Sequence, residues 1–331
     1  WLGCAPQVVE DLLRLAEAAD TPTLRVGTEG LAAALLAPTA VRPVADAAPT
    51  LPPAAAPSTA PAASGAPLRP KVPRNLGPYE LGEELGHGGM GIVFRARHLK
   101  LGSACAVKVL IAGEHASPEA IARFQREAAA VARMGKHPNI VTVYDLGEEG
   151  SLSYYAMELV EGESLRRRLA ERPPAPREAA ALVEKVARAL HFAHGHGVIH
   201  RDIKPDNIVV RRDGEPQVMD FGLAREVDSG EQLSVTGQVM GTPAYMAPEQ
   251  VRGDVSATDA RTDVYALGAV LYEALTGIPP HGGQNLGAIF ARVLSGDIVP
   301  PRRLRAEVPR DLETVCMKCL EVSPAKRYAT A

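Results

Sequence analysis

A lysine inside an apolar strand pattern, Cys105-Ala106-Val107-Lys108, is the first residue that packing does not explain. A buried ammonium needs a partner. Glu127, in Phe124-Gln125-Arg126-Glu127 on the next helical stretch, is the candidate. Upstream, Gly86-His87-Gly88-Gly89-Met90-Gly91-Ile92-Val93 spaces its glycines as G-x-G-x-x-G-x-V. Without a Cβ, such a backbone can approach phosphates closely. The triplet alone is weak, because dinucleotide-binding folds use a similar one. There the glycines open a helix, whereas Ile92 to Arg97 alternates as a strand does. An ordinary glycine hairpin is the plainer alternative until the rest of the chain is read. Downstream lie His200-Arg201-Asp202-Ile203-Lys204-Pro205-Asp206-Asn207, then Asp220-Phe221-Gly222, then Ala247-Pro248-Glu249.

In this order the motifs resemble the eukaryotic-type protein kinase superfamily, most closely its bacterial serine/threonine (Hanks-type) members. The resemblance runs from about Tyr79 to Arg327, and the family fold extends slightly past residue 331. One departure is Cys105, where many members carry valine; cysteine is a small hydrophobe and fits. The resemblance implies a protein serine/threonine kinase that transfers the ATP γ-phosphate to protein hydroxyls. Phosphoryl transfer asks mainly for positioning and charge stabilisation. Lys108 then contacts the α- and β-phosphates and is held by Glu127. Asp220 and Asn207 hold Mg²⁺, with Mn²⁺ as the alternative metal, since hard oxygens suit such cations. Asp202 orients the acceptor hydroxyl and takes its proton, Lys204 neutralises the γ-phosphate, and Thr242 braces that Asp–Lys pair. The nucleotide is covered by Leu85 and the Gly86–Gly91 loop, which includes His87, Gly88, Gly89 and Met90. The adenine lies between Val93, Ala106 and a large-lobe floor, beside Met157, with hinge backbone at Glu158 and Val160. Val131, Val143, His200 and Phe221 form a stack coupling the lobes. Asp263 braces the catalytic loop, and Arg327 pairs with Glu249.

These residues need a frame to position them. From Glu80 to Val109 the chain alternates and carries glycine turns, as strands do. Ser117 to Met134 reads as a helix with Ser117 as N-cap and Pro118 in its first turn. Ile140–Asp145 and Ser153–Leu159 read as strands. Helices follow at Arg177–Gly195, Thr262–Thr276, Leu286–Leu294 and Asp311–Val322. Strands first and helices after argue for two lobes. The expected class is therefore α+β, a two-lobed protein kinase fold over residues 76–331, with a β-rich N-lobe at about 76–159 and a helical C-lobe at about 160–331. Before it, residues 38–75 form an Ala/Pro-rich linker that cannot bury enough apolar surface to order itself. Residues 1–37 hold a short amphipathic stretch with Val8, Leu12, Leu13 and Leu15 at helical spacing, too small for a domain. Removing residues 1–75 is accordingly expected to leave stability unchanged.

Composition narrows the classes. With 36 basic and 39 acidic residues the net charge is -3, so nucleic acid is not the expected partner. Leu31–Ala37 is far too short to span a bilayer, and no secretory leader is evident. Trp1 in place of Met suggests a fragment. The expected location is cytoplasmic, and the family resemblance admits membrane anchoring through a region outside this chain. Cys316 and Cys319 form a lone C-x-x-C, read as helix packing because a structural zinc would want a second pair. His191, His194 and His196 read as a helix end, and Arg166-Arg167-Arg168 as a solvated face. Two other functions fit less well. A pseudokinase scaffold usually lacks one of Lys108, Asp202 and Asp220. A small-molecule phosphotransferase generally lacks the Gly241-Thr242-Pro243-Ala244-Tyr245 platform. Asp228–Val239 is polar and Gly-containing, and the resemblance marks Thr236, with Ser234 second, as autophosphorylation sites. Arg201 can bind such a phosphate through paired hydrogen bonds. A kinase-domain homodimer is the partner such trans-autophosphorylation admits.

Overall fold

The computed structural model describes residues 8, 10–12, 14, 72–88, 91–110, 125, 128–150, 152–221, 243–283 and 285–331. Gly89, Met90, Glu127, Gly222, Ser234, Thr236, Thr242 and the Ala/Pro stretch up to residue 71 lie outside the described residues.

The first half of the fold is an antiparallel sheet of β1 (Asn75–Leu76), β2 (Tyr79–Gly88), β3 (Gly91–His98), β4 (Ala104–Leu110), β5 (Val143–Glu149) and β6 (Leu152–Met157), in the order β1-β2-β3-β4-β6-β5. The alternating stretch from Phe94 to Val109 turns at residues 99–102, where Gly102 takes φ +69°, in keeping with the glycine turns expected there. One face buries Leu76, Tyr79, Leu81, Ala96, Cys105, Val107, Val109, Tyr154 and Ala156. The other face buries Ala106, Tyr155 and Met157, as the two-residue period of a strand requires. Gly86 pairs with Val93 and Gly88 with Gly91, so the glycine loop closes a hairpin. Gly91 has no room for a side chain, because a Cβ there would stand 2.2 Å from the Val109 carbonyl oxygen.

The second half is helical. It contains β7 (Gly162–Ser164), α1 (Leu165–Glu171), α2 (Pro176–Gly195), β8 (Ile208–Arg211), β9 (Pro216–Val218) and α3 (Pro248–Val251). Then follow α4 (Ala260–Thr276), α5 (Leu286–Ser295), α6 (Pro301–Leu304) and α7 (Arg310–Cys319). Strands β7, β8 and β9 form a small antiparallel sheet. Helix α2 starts at Pro176, with Glu178 accepting from the Ala175 amide at 3.1 Å. Helix α4 is buried on all sides from Thr262 to Leu275, which suits its nearly continuous apolar sequence. It is capped by Asp259 and stopped by Gly277 at φ +81°. Helix α7 ends at Cys319, three residues before the sequence pattern suggests; Leu320 caps it at ψ 11°, its amide shared between the Cys316 and Met317 carbonyls.

The helix pair α4–α7 accounts for the C-x-x-C. A Cβ on Gly268 would lie 2.5 Å from the Cys319 Cβ, and Cys316 Sγ donates to the Gly268 carbonyl at 3.6 Å. Burial pushes the Cys319 thiol up to about 12 and Cys316 well above the usual thiol range. The lobes meet where Ile140 bridges Val218 in parallel, with Val141 N donating to Val218 O at 2.9 Å. Deep in the second half, Arg327 and Glu249 form a two-pronged pair at 2.7 and 2.8 Å. Thr262 Oγ1 adds a third bond to that carboxylate at 2.9 Å.

Residues 1–21 and 72–331 form one compact unit. Residues 8, 10–12 and 14 are helical. Val8 and Leu12 are 1% and 0% exposed, inside the same apolar cluster as Leu320, Tyr328 and Ala331. Tyr328 donates to Asp11 Oδ2 at 2.8 Å. The segment is too short to make a core of its own, yet it shares one. The expected neutrality of removing residues 1–75 therefore does not follow. Leu12→Ala is expected to destabilise by about 2 kcal/mol, the low end for a buried leucine, because so short a segment can detach. At this size that is a fall of about 4–8 °C in Tm. Differential scanning calorimetry checks it, and an unchanged Tm would mean that the segment does not dock.

Candidate active site

The site is built outward from Asp263 on α4, which is completely buried. Its Oδ2 accepts from the His200 amide and from His194 Nε2, each at 2.8 Å, and its Oδ1 accepts from the Arg201 amide at 2.7 Å. Burial alone would raise the carboxyl's pKa. The hydrogen bond and charge of His194, with the His200 contacts, outweigh burial and hold it below the usual carboxylate range. Arg201 is thereby pinned at φ 64°, a left-handed conformation uncommon outside glycine. Gln250 Nε2 donates to its carbonyl at 2.8 Å. His194 is thus a strut in this network, not merely the end of α2.

His200 carries the next layer. Its Nδ1 accepts from the Asp202 amide at 3.2 Å, so Nε2 bears the proton and donates to the Met219 carbonyl at 3.0 Å. Burial lowers its pKa, so the ring is neutral near pH 7. Lys204 Nζ lies 2.7 Å from Asp202 Oδ2. Asn207 Nδ2 donates to the Asp202 carbonyl at 2.7 Å and to Asp202 Oδ2 at 3.1 Å. The Met219 amide in turn donates to the Asn207 carbonyl at 3.0 Å. Both backbone groups of Met219 are therefore tied to the 200–207 loop, and the next residue is Asp220.

Asp220 sits at φ 59°. Its Oδ1 lies 2.7 Å from Lys108 Nζ and accepts from Tyr155 Oη at 2.8 Å. Burial would raise this carboxyl too, but the Lys108 ammonium and the bonds from Lys108 and Tyr155 hold it low. The described partner of Lys108 is therefore Asp220, while Glu127 lies outside the described residues. Beside this pair, Ala106, Met157, Val141 and Tyr155 form an apolar cluster against which Val93, Leu159, Val160 and Met219 pack. The Glu158 amide is already donated to the Thr142 carbonyl at 2.9 Å, so its carbonyl is what the hinge can offer a ligand there. Leu85 is exposed, and His87 Nδ1 lies 3.7 Å from Glu84. Val131 and Phe221 share one cluster with Val143 packed on it, and the His200 and Phe221 rings are 4.7 Å apart. The expected lobe-coupling stack is thus assembled.

Arg166 departs from the solvated-face reading. It reaches Glu273 Oε1 at 2.6 Å, Tyr245 Oη at 2.7 Å and Asp206 Oδ2 at 3.2 Å. Tyr245 also donates to Glu273. Because α1 begins at Leu165, its first turn faces α4, while Arg167 pairs with Glu163 and Glu171 at the surface.

Residues 79–331 match the protein kinase domain model. The serine/threonine-protein kinase PknB of Mycolicibacterium smegmatis is 46% identical over 259 residues, covering 76% of this chain and 41% of that protein. PknB of Mycobacterium tuberculosis is 44% identical with the same coverage. A probable serine/threonine-protein kinase of Clostridium perfringens is 40% identical over 254 residues, covering 76% of this chain and 36% of its own length. This chain belongs to the protein kinase family, among the bacterial Hanks-type serine/threonine kinases. It spans about two-fifths of the length of the curated relatives it matches. Among the described residues of the kinase chain no helix is long and apolar enough to cross a membrane.

The structure of this kinase domain brings together Lys108, Asp202, Lys204, Asn207 and Asp220, and separately Val93, Ala106, Met157 and Val160. Sequence reasoning missed Tyr155, Met219, His194 and Arg166. Only Met219 carried a local signal, its place immediately before Asp220. Removing the Asp263 acceptor leaves three buried donors stranded, so Asp263→Ala is expected to cost about 3–5 kcal/mol. The pH sign follows from lowered folded-state values at Asp220, Glu249 and Asp263. Their stabilisation is complete above the ordinary carboxylate pKa of about 4 and is lost as pH falls through the lowered values. Tm measured against pH should therefore drop below about pH 4, with a shallower acid limb in Asp263→Asn.

Proposed function

We propose that this chain is an ATP-dependent protein serine/threonine kinase. The single observation that carries the reading is the Asp202–Lys204–Asn207 cluster, tied through Met219 to an Asp220 already paired with Lys108. Such a constellation positions a hydroxyl, a polyphosphate and a cation together.

Lys108 exchanges its Asp220 contact for the α- and β-phosphates when nucleotide enters. Asn207 spends Nδ2 on Asp202, so its Oδ1 is the atom that, with the Asp220 carboxylate, would hold a cation. Those hard oxygens fit a divalent ion, Mg²⁺ by preference and Mn²⁺ as the alternative. The ion, when bound, offsets charge on the β- and γ-phosphates. Asp202 takes the proton of the acceptor hydroxyl as its oxygen bonds the γ-phosphorus and the bond to the β-bridging oxygen breaks, releasing ADP. Lys204 offsets charge on the transferred group. The low, buried Asp263 keeps this loop backbone fixed while charge moves. Leu85, Gly86, His87, Gly88, Gly89, Met90 and Gly91 cover the phosphates in this reading, with Glu127 steadying Lys108 and Thr242 bracing Asp202 and Lys204. Autophosphorylation at Thr236, then Ser234, completes the proposal, with proteins as substrates and a second kinase domain as the trans partner. The intact triad of Lys108, Asp202 and Asp220 favours this over a pseudokinase, and the Pro243-Ala244-Tyr245 platform favours proteins over small molecules.

Transfer from ATP to casein or myelin basic protein, set against sugars and aminoglycosides, tests the reading. Asp202→Asn should retain nucleotide binding and lose roughly 10²–10⁴ in kcat, the usual worth of a positioned base. An Asp202→Asn protein with wild-type turnover would overturn the assignment. Peptide mapping of the active protein should find phosphate on Thr236 or Ser234.

A further inference from the structure

Tyr155 belongs to none of the motifs that carry the kinase reading, yet its hydroxyl reaches their centre. It lies on β6, directly across the ladder from Lys108 on β4. Strand alternation puts it on the same face as Met157. The side chain is 1% exposed. It lines a crevice with Ala128, Val131, Met219, Asp220 and Phe221. Its Oη donates to Asp220 Oδ1 at 2.8 Å, on the same oxygen that Lys108 Nζ meets at 2.7 Å. Asp220 is one of only two non-glycine residues with positive φ among the described residues. Such a backbone persists only where its surroundings over-determine it.

The two donors differ in what they do when a polyphosphate arrives. Lys108 is a flexible cation and is drawn to the phosphates. Tyr155 is neutral and rigid, with a ring locked by packing, and it has no charge to exchange. Its hydroxyl donates to Asp220 from a fully packed ring, so it keeps its place on the carboxylate whether or not Lys108 stays. Both donors lie on Oδ1, and among the described residues none is seen on Oδ2, the oxygen then offered to a hard cation.

We propose that Tyr155 is a positioning residue that holds the Asp220 carboxylate in its metal-binding orientation, through its hydroxyl, when Lys108 turns to the nucleotide. This rests on the reading of Asp220 as the carboxylate for the divalent ion. Tyr155 acts through Asp220 and touches no reacting atom.

The test uses the full chain and a non-hydrolysable ATP analogue, so that metal binding is read without turnover. Tyr155→Phe keeps the ring and removes only the hydroxyl. The Mg²⁺ concentration giving half of the analogue-induced rise in Tm should increase roughly ten- to a hundredfold, the worth of one hydrogen bond to a charged group. Nucleotide binding in EDTA should not change. In the Asp220→Asn background the same substitution should shift nothing further. Coincident Mg²⁺ curves for wild type and Tyr155→Phe overturn the proposal, as does an equal shift in the Asp220→Asn background. A lower ligand-free Tm with unmoved Mg²⁺ curves makes the bond purely structural and overturns it too. If Tyr155→Phe does not fold, Tyr155→Met fills the strand position without a donor and is read the same way. A wild-type protein that shows the Mg²⁺ shift but transfers no phosphate would sink the kinase reading alone.

Discussion

One buried carboxylate, Asp263, sets the geometry on which the rest of the site depends. Three donors converge on it, from the His200 amide, the Arg201 amide and the His194 ring. An ionised carboxylate with no exposure is tolerable only when its lone pairs are filled. Filling them forces the backbone at residues 200 and 201 against α4 and bends Arg201 into the left-handed region. Asp202 then leaves the turn in one direction only. A solvated loop would have to order itself at each turnover, whereas this one is already fixed.

The same logic extends across the cleft through backbone groups. His200 holds the Met219 carbonyl and Asn207 holds the Met219 amide. Val218, one residue earlier, is bridged to Ile140 and Val141 from the other lobe. The strand that delivers Asp220 is therefore anchored to the catalytic loop and to the connection between the lobes at adjacent residues. Apolar stacking of Phe221 on His200, with Val131 in the same cluster, fills the space behind it. A change at any of these positions reaches Asp220 through one or two hydrogen bonds.

The legibility of this arrangement followed sequence separation. Asp202, Lys204 and Asn207 act within one short loop, so their types and spacing announced them. The helices at 176–195 and 260–276 were legible from periodicity, and the strands from alternation broken by glycine turns. What escaped has its partner far away in the chain. Tyr155 and Asp220 are 65 residues apart, His194 and Asp263 are 69, and Arg166 and Glu273 are 107. A tyrosine in a strand and an arginine on a helix look ordinary until folding brings a carboxylate to them. The Val8 and Leu12 contact is the extreme case, since Asp11 and Tyr328 are 317 residues apart. Periodicity marked a helix there, but nothing local could say which surface would receive it.

That last contact joins residues 317 apart in one chain, and this has a kinetic meaning. Val8, Asp11 and Leu12 are covalently connected to the surface they cover, so their docking is a unimolecular event. Its strength is set by an effective concentration fixed by the covalent connection, and not by the amount of protein in solution. A single peptide-bond cleavage anywhere between residues 21 and 72 would leave every contact chemically intact. It would nonetheless turn the same docking into a bimolecular equilibrium that dilution alone can undo. Continuity of the backbone between these positions, independent of its composition, is what keeps the docking intramolecular.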